Sequence, residues 1–250
     1  MWFNRDMKWS PPHYGLDKLK FAVGSPMFER AVDLYEEGRV KDFQADTFGY
    51  SAQVHGGNIY HVFVSAKAYD VGHCDCHMGQ KEELCKHLVA IALHAVIGGR
   101  KLTDEEKQVI SVPVSSGKLG SLDARELKET KARITDALRY IKAYTGPSRT
   151  WFTYQNSLDE GYARLSKIVS ELPVGLQTAK LLVEVLLRLD RKLQQGGVDD
   201  SNGTIGGLIE GIVAVLKGYH AADSSCAEAF RTLKGVETCF AWEEPLLALT

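Results

Sequence analysis

Residues 72–97 carry the sequence GHCDCHMGQKEELCKHLVAIALHAVI, which places three cysteines and one histidine within fourteen consecutive positions. Thiolates and imidazoles are the ligands that tetrahedral zinc prefers in proteins, and four of them complete its coordination. Side chains two positions apart in a strand face the same side, so Cys74 and Cys76 can both reach one ion. The sequence therefore predicts one structural zinc ion per chain, held by Cys74, Cys76, Cys85 and His87.

The second pair of ligands lies where an apolar helix is predicted, from Leu84 to Ile97. The chain turns there from a loop into the first helical turn, so two side chains two positions apart can converge, and the positive helix end favours thiolates. The sequence leaves open whether another histidine replaces His87, and the candidates are His73, His77 and His94. Two other interpretations of the cysteines also stay open: buried packing residues, and a redox pair formed by Cys74 and Cys76.

Upstream of the cysteines, the pattern predicts a helix followed by strands. Apolar residues recur at helical spacing after Ser25-Pro26, and the run ends at Gly38, which is typical of a helix terminus. From Val40 the period changes to two, with the polar composition of an edge strand. Two β-rich runs on either side of Gly56-Gly57 predict a hairpin. The first hundred residues are therefore expected to be mixed α and β.

The second half of the chain shows only helical patterns. Residues 101–122 contain a proline and a Ser-Ser-Gly run and are expected to form a connector. Asp123, with Glu126 three positions on, is typical of a capping box at the start of a helix. Further helices are predicted for residues 157–172, 179–193 and 204–219. The predicted fold class is α+β, with a β-hairpin/helix zinc module in residues 1–100 and an α-helical domain in residues 123–250.

The ligand spacing, Cys-x-Cys followed after a short gap by Cys-x-His and an apolar helix, resembles that of the SWIM-type zinc finger. Three segments are similar to bacterial members of that family: Tyr35-Glu36-Glu37-Gly38-Arg39-Val40 at a helix end, Tyr60-His61-Val62 in the hairpin, and Cys85-Lys86-His87-Leu88-Val89-Ala90. The resemblance covers about residues 15–98. It implies a zinc-binding module that contacts nucleic acid or protein, with no catalytic centre in the finger itself.

The composition is that of a globular protein rather than a disordered or fibrous one, with 250 residues, 44% of them hydrophobic, and a net charge of −2. Residues 1–6 lack the apolar segment of a secretory signal, and no apolar stretch reaches the ~20 residues that cross a bilayer. We therefore expect a cytoplasmic protein with no membrane partner, whose five cysteines stay reduced. Two of these, Cys226 and Cys239, are expected to be ordinary half-buried thiols.

A local basic segment, Lys118–Arg149, contains eight Lys or Arg residues and four Asp or Glu residues. Tyr140, Tyr144 and Trp151 lie nearby in sequence and can stack on bases. This pattern is compatible with DNA binding through the basic segment and the finger, whereas the near-neutral charge of the whole chain slightly favours a protein partner. A solvated helix face whose aromatic side chains pack on their neighbours is the simpler interpretation.

From these residues we expect a non-enzymatic interaction protein whose zinc module displays a surface for a protein or DNA partner. Four protein ligands leave zinc no open position for water, so the ion is not expected to act as a Lewis acid. Two alternatives remain. One is a redox or metal sensor in which oxidation of Cys74 and Cys85 releases zinc, and the other is an enzyme whose site lies in the helical second half.

Overall fold

The computed structural model describes residues 11–108 and 112–250, so the predicted absence of a signal in residues 1–6 lies outside the described residues. The described chain divides into two compact units, one on each side of residues 109–111. The first unit is mixed α and β and the second is helical, which confirms the α+β fold class. No helix within the two described ranges is long and apolar enough to span a membrane.

The first unit combines helices with an antiparallel sheet. Its elements in chain order are α1 (Leu16–Ala22), α2 (Ser25–Glu36), β1 (Val40–Ala45), β2 (Gly49–His55), β3 (Ile59–Ser65), β4 (Gly72–Cys74), α3 (Lys86–Ile97) and α4 (Asp104–Lys107). The sheet has the order β1-β2-β3-β4, so each strand pairs with its neighbour in sequence. β1 lies at one edge of the sheet, as its polar sequence predicts.

The predicted hairpin joins β2 to β3, with His55 paired to Ile59 at its closed end. One face of these strands is buried, and α3 packs against it. α3 is apolar on nearly every side, because α1 and α2 cover the part that the sheet leaves open. The helix predicted from Leu84 begins at Lys86, since Cys85 has an extended backbone and forms the N-cap.

The second unit consists of helices around one apolar core. Its elements in chain order are α5 (Ala124–Ala137), α6 (Trp151–Glu171), α7 (Leu176–Gln194), α8 (Thr204–Ala222), α9 (Ala227–Phe230) and α10 (Glu244–Leu247). Asp123 caps α5 together with Glu126, so the predicted capping box is confirmed. α6 begins well before the predicted start at residue 157, and the indole of Trp151 in its first turn donates to the Asp199 carboxylate at 3.1 Å.

Residues 101–122, expected to form a connector, have described parts in both units. In the first unit, Lys107 of α4 pairs with Glu36 of α2 at 2.7 Å. In the second unit, the hydroxyl of Ser116 donates to the carbonyl of Leu172 at 2.6 Å. Each described part therefore has its own contacts within a unit.

Candidate metal centre

Cys74 is the last residue of strand β4, and Cys76 lies two positions beyond the strand end; both side chains are buried. The strand that was expected to present both cysteines therefore ends at the first of them. Cys74 pairs with Val62 of β3, and strand alternation turns its side chain inward while His73 is exposed. Past the strand, the backbone amide of Gly79 donates to the sulfur of Cys76 at 3.4 Å. This turn holds both sulfurs on the buried side.

Cys85 and His87 lie at the start of helix α3. Cys85 has φ −129° and ψ 159°, and its carbonyl accepts the amide of Val89 at 3.2 Å, so it is the last extended residue before the helix. His87 follows within the first turn. Both side chains are buried, which places the second pair of ligands inside the first unit, as the loop-to-helix transition predicts.

The four side chains converge on one point. One ligand atom from each lies within 4.8 Å of the other three, and the exposed fractions are 0% for Cys74, 6% for Cys76, 3% for Cys85 and 5% for His87. The Sγ of Cys74 is 3.7 Å from Nδ1 of His87. A buried group of three thiols and one imidazole at these distances can hold a metal ion.

The separations fit tetrahedral coordination by these donors. With Zn–S bonds of about 2.3 Å, two sulfurs of a tetrahedral site lie about 3.8 Å apart, and a sulfur and a nitrogen lie slightly closer. The 3.7 Å between Sγ of Cys74 and Nδ1 of His87 is near that value. The other pairs of ligand atoms are within 4.8 Å, so the cluster needs to contract only slightly to reach tetrahedral distances. The donor set and its size therefore both suit zinc.

The imidazole of His87 is positioned by packing. The ring of Tyr60 stacks on it, with centroids 4.4 Å apart and an angle of 28° between the planes. Nδ1 lies toward Cys74, whereas Nε2 is buried and has no hydrogen-bond partner in the described residues. A metal-bound histidine usually donates its second ring N–H to an acceptor. Here Gly56 lies against Nε2 in place of such an acceptor, and a Cβ at position 56 would be 3.3 Å from that nitrogen.

Hydrogen bonding within the cluster differentiates two of the thiols. The interaction with Cys74 lowers the pKa of the Cys85 thiol to about 4; His87 and the backbone amide of Leu88 contribute in the same direction, and burial opposes them. The pKa of Cys74 is raised, first by its hydrogen bond to Cys85 and then by burial. These interactions favour the thiolate form at Cys85, and an ion bound here would displace the remaining thiol protons.

The histidines that compete with His87 in the sequence lie elsewhere. His73 and His77 are exposed. His94 is half-buried between the rings of Tyr35 and Phe43, with centroid distances of 5.6 and 4.3 Å, and burial lowers its pKa. The structure therefore brings His87 to the three sulfurs.

The other two cysteines are also outside the cluster. Cys226 is fully buried, more so than expected, and burial raises its pKa to about 11. Cys239 is half-buried, and its backbone amide donates to the carboxylate of Asp190 at 2.7 Å. Both belong to the packing of the second unit.

In the basic segment, all eight Lys and Arg side chains are exposed, but the neighbouring aromatic rings are engaged. Trp151 donates its indole N–H to a carboxylate. The ring of Tyr144 packs on that of Tyr154 at 4.8 Å, and the guanidinium of Arg164 lies 4.7 Å from the ring centre of Tyr140. The aromatic side chains therefore pack on their neighbours rather than presenting faces for bases.

The sequence did not predict the roles of two residues that shape the candidate metal centre. Gly79 approaches Cys74 so closely that a Cβ would lie 2.1 Å from the Cys74 carbonyl oxygen. Tyr60 supports the imidazole of His87. A glycine three positions after a Cys-x-Cys pair is a signal for a tight turn, whereas the role of Tyr60 depends on the pairing of distant strands.

No family model, curated protein or solved structure matches this chain. Its fold and site define the class of protein: an α+β chain with a buried cluster of three cysteines and one histidine in the first unit, and a helical second unit. The resemblance to SWIM-type zinc fingers rests on the sequence of residues 15–98 and stays a prediction.

Proposed function

We propose that Cys74, Cys76, Cys85 and His87 bind one structural zinc ion per chain. The observation that carries this proposal is the convergence of four buried ligand atoms to within 4.8 Å of one another. Three thiols with an imidazole form a set that is common in structural zinc sites. Burying three thiols and an imidazole side by side is costly unless hydrogen bonds or an ion compensate the lost solvation.

The proposed ion links two elements that are separate in sequence. Cys74 ends β4 and Cys76 lies in the turn that follows it, whereas Cys85 is the N-cap of α3 and His87 lies in its first turn. A bound ion would tie the sheet edge to the central helix of the unit. All four positions of a tetrahedral site are then taken by protein atoms, so the ion stabilises the fold and leaves no position for a substrate.

On this basis the chain acts as a non-enzymatic interaction protein of the SWIM zinc-finger type. Its zinc-stabilised first unit presents its surface to a protein or nucleic-acid partner. The ligand spacing and the sheet followed by an apolar helix support this assignment. The burial of the sulfurs disfavours the alternative of a redox sensor, because oxidation of a thiol depends on access to it.

Metal analysis of the purified chain by inductively coupled plasma mass spectrometry tests the proposal. We expect one zinc per chain in the wild type and none in a Cys85→Ser/His87→Ala variant. Cys239→Ser, which removes a half-buried thiol outside the cluster, is the matched control and should keep its zinc. A wild-type chain purified without chelator that contains no metal would overturn the proposal, as would zinc that persists in the double variant.

A further inference from the structure

One flank of helix α5 carries positive side chains. Lys128 and Lys131 lie seven and four positions before Thr135, and Arg139 lies four positions after it in the turn that continues the helix. Positions four and seven apart share one face of a helix. All three basic side chains are exposed, so they form a positive row along this face.

Three of the four acidic residues of the same stretch are engaged in other interactions. Asp123 and Glu126 form the capping box at the helix start. Glu129 pairs with Arg125 at 2.8 Å. The exposed Asp136 lies 3.4 Å from Arg139 and is therefore part of this face. The row of three basic residues thus includes one carboxylate and keeps an excess of positive charge.

Helix α7 adds cations to this row. Both terminal nitrogens of Arg188 lie 3.4 Å from the hydroxyl of Thr135. The ammonium of Lys192 donates to the carbonyl of Ile141 at 2.6 Å, just after α5. Burial, and then the nearby positive charge of Arg188, lower the pKa of Lys192.

We define the α5–α7 basic surface as these residues together with the exposed Lys142: Lys128, Lys131, Arg139, Lys142, Arg188 and Lys192. Of the two acids on α7, Asp190 is buried against Trp242, and Glu184 is exposed one turn before Arg188. Glu184 and Asp136 are therefore two exposed carboxylates beside six cations, which leaves a clear excess of positive charge. Such a concentration of one sign attracts a polyanion.

The chemistry of the surface points to phosphates. Interfaces between proteins rely on apolar and aromatic anchors, and the large exposed apolar side chains of the described chain all lie outside α5 and α7. Stacking on single-stranded bases needs free aromatic faces, but Tyr140, Tyr144 and Trp151 pack within the unit. What remains is a row of cations, which contacts a phosphate backbone without reading bases.

We propose that the α5–α7 basic surface binds the phosphate backbone of double-stranded DNA without sequence preference. This inference deepens the proposed function by naming its partner class, and it rests on that function. The candidate metal centre and this surface lie in different units, so an experiment can refute the zinc proposal or the DNA proposal separately.

The test compares two pairs of substitutions on one helix. Lys128→Gln/Lys131→Gln removes two charges from the basic surface, and Arg125→Gln/Arg133→Gln removes two charges that are paired with Glu129 and Glu171. Binding of the zinc-loaded full chain to a labelled DNA duplex of mixed sequence is measured by fluorescence anisotropy over a range of salt concentrations. We expect the lysine variant to bind more weakly, with a log–log salt slope shallower by about 1 for each lysine, while the arginine variant stays near wild type.

Three outcomes would overturn the inference: no binding of the duplex by the wild type, equal losses of duplex affinity in both variants, or tighter binding of the wild type to single-stranded poly-dT than to duplex. Displacement of DNA by equimolar poly-glutamate would assign the surface to acidic polypeptides instead. Zinc content and far-ultraviolet circular dichroism are recorded for each protein. A chain that binds duplex through the two lysines but holds no zinc would refute the proposed zinc centre and leave this surface standing.

Discussion

Gly79 lets the chain fold back on Cys74 at a distance that excludes any side chain. A Cβ at position 79 would lie 2.1 Å from the carbonyl oxygen and 2.7 Å from the Cβ of Cys74. Its backbone amide also reaches the sulfur of Cys76 at 3.4 Å. The turn that holds the first pair of ligands therefore depends on the absence of one methyl group.

Replacing this glycine with alanine should displace the ligand turn. We expect Gly79→Ala to lower the free energy of unfolding of the first unit by about 1–3 kcal/mol, since backbone atoms must move to admit the methyl group. The variant should also lose zinc faster to a chelating dye. Gly57→Ala is the control, because a Cβ at Gly57 meets open space. Thermal melts that are the same for the two variants would contradict this account.

Helix α4 shows how a single short element is held in place by its cap. Thr103 and Glu106 form a capping box, and the carboxylate of Glu106 also accepts two hydrogen bonds from the guanidinium of Arg100, at 2.7 and 2.6 Å. On the other side, the ammonium of Lys20 in α1 donates to the carbonyl of Glu105 at 2.8 Å. Polar contacts at both sides therefore fix a helix of four residues.

These contacts predict a pH-dependent contribution to stability. The hydrogen bonds from Arg100, and then from the Thr103 amide, lower the pKa of Glu106 from 4.5 to about 2. A carboxylate whose pKa is lowered in the folded state stabilises the fold above its unfolded pKa, and this contribution is lost as the pH falls toward the folded pKa. We expect Glu106→Gln to cost about 1 kcal/mol at neutral pH, with a smaller difference from wild type at about pH 3.

Urea unfolding of the two proteins at neutral pH and at steps down to acid measures that difference. Asp33→Asn, which removes an exposed carboxylate from α2, is the control and should follow the wild type. If the difference in free energy of unfolding between Glu106→Gln and wild type stays constant with pH, or grows toward acid, the lowered pKa of Glu106 is contradicted.

Each unit has its own apolar core. The buried residues of the first unit form one cluster, which includes Cys74, Cys76 and Cys85. Those of the second unit form a separate cluster drawn from α5 to α10 and the intervening loops. The three cysteines belong to the cluster of the first unit, so loss of the proposed ion is expected to act on that unit.

Removal of metal should therefore unfold one unit and spare the other. Structural zinc in small domains contributes about 10–16 kcal/mol of apparent binding free energy to folding. With EDTA we expect residues 40–98 to lose protection from hydrogen exchange, while α6, α7 and α8 keep theirs. EDTA that has been saturated with zinc is the control and should change nothing. Persistent protection of residues 40–98 after verified metal removal would show that the apolar core suffices without an ion.

Local patterns predicted much of this molecule. The mixed first half, the hairpin around Gly56-Gly57 and the helical second half follow from hydrophobic periodicity and turn residues, and the capping box at Asp123 from its spacing. Burial of Cys74 beside an exposed His73 follows from strand alternation. These features depend on contacts between residues near in sequence, which is why they can be predicted from the chain alone.

Other features depend on residues that only folding brings together. The early start of α6 is supported by a contact between Trp151 and Asp199, and the orientation of His87 by Tyr60 on a neighbouring strand. The pairing of Arg188 with Thr135 likewise joins two helices. The sequence by itself determined which residues can act as metal ligands, because that depends on residue type and spacing. Tertiary structure decided that these ligands meet and which side chains surround them. Contacts between residues far apart in sequence cannot be read from the local periodicity of hydrophobic residues.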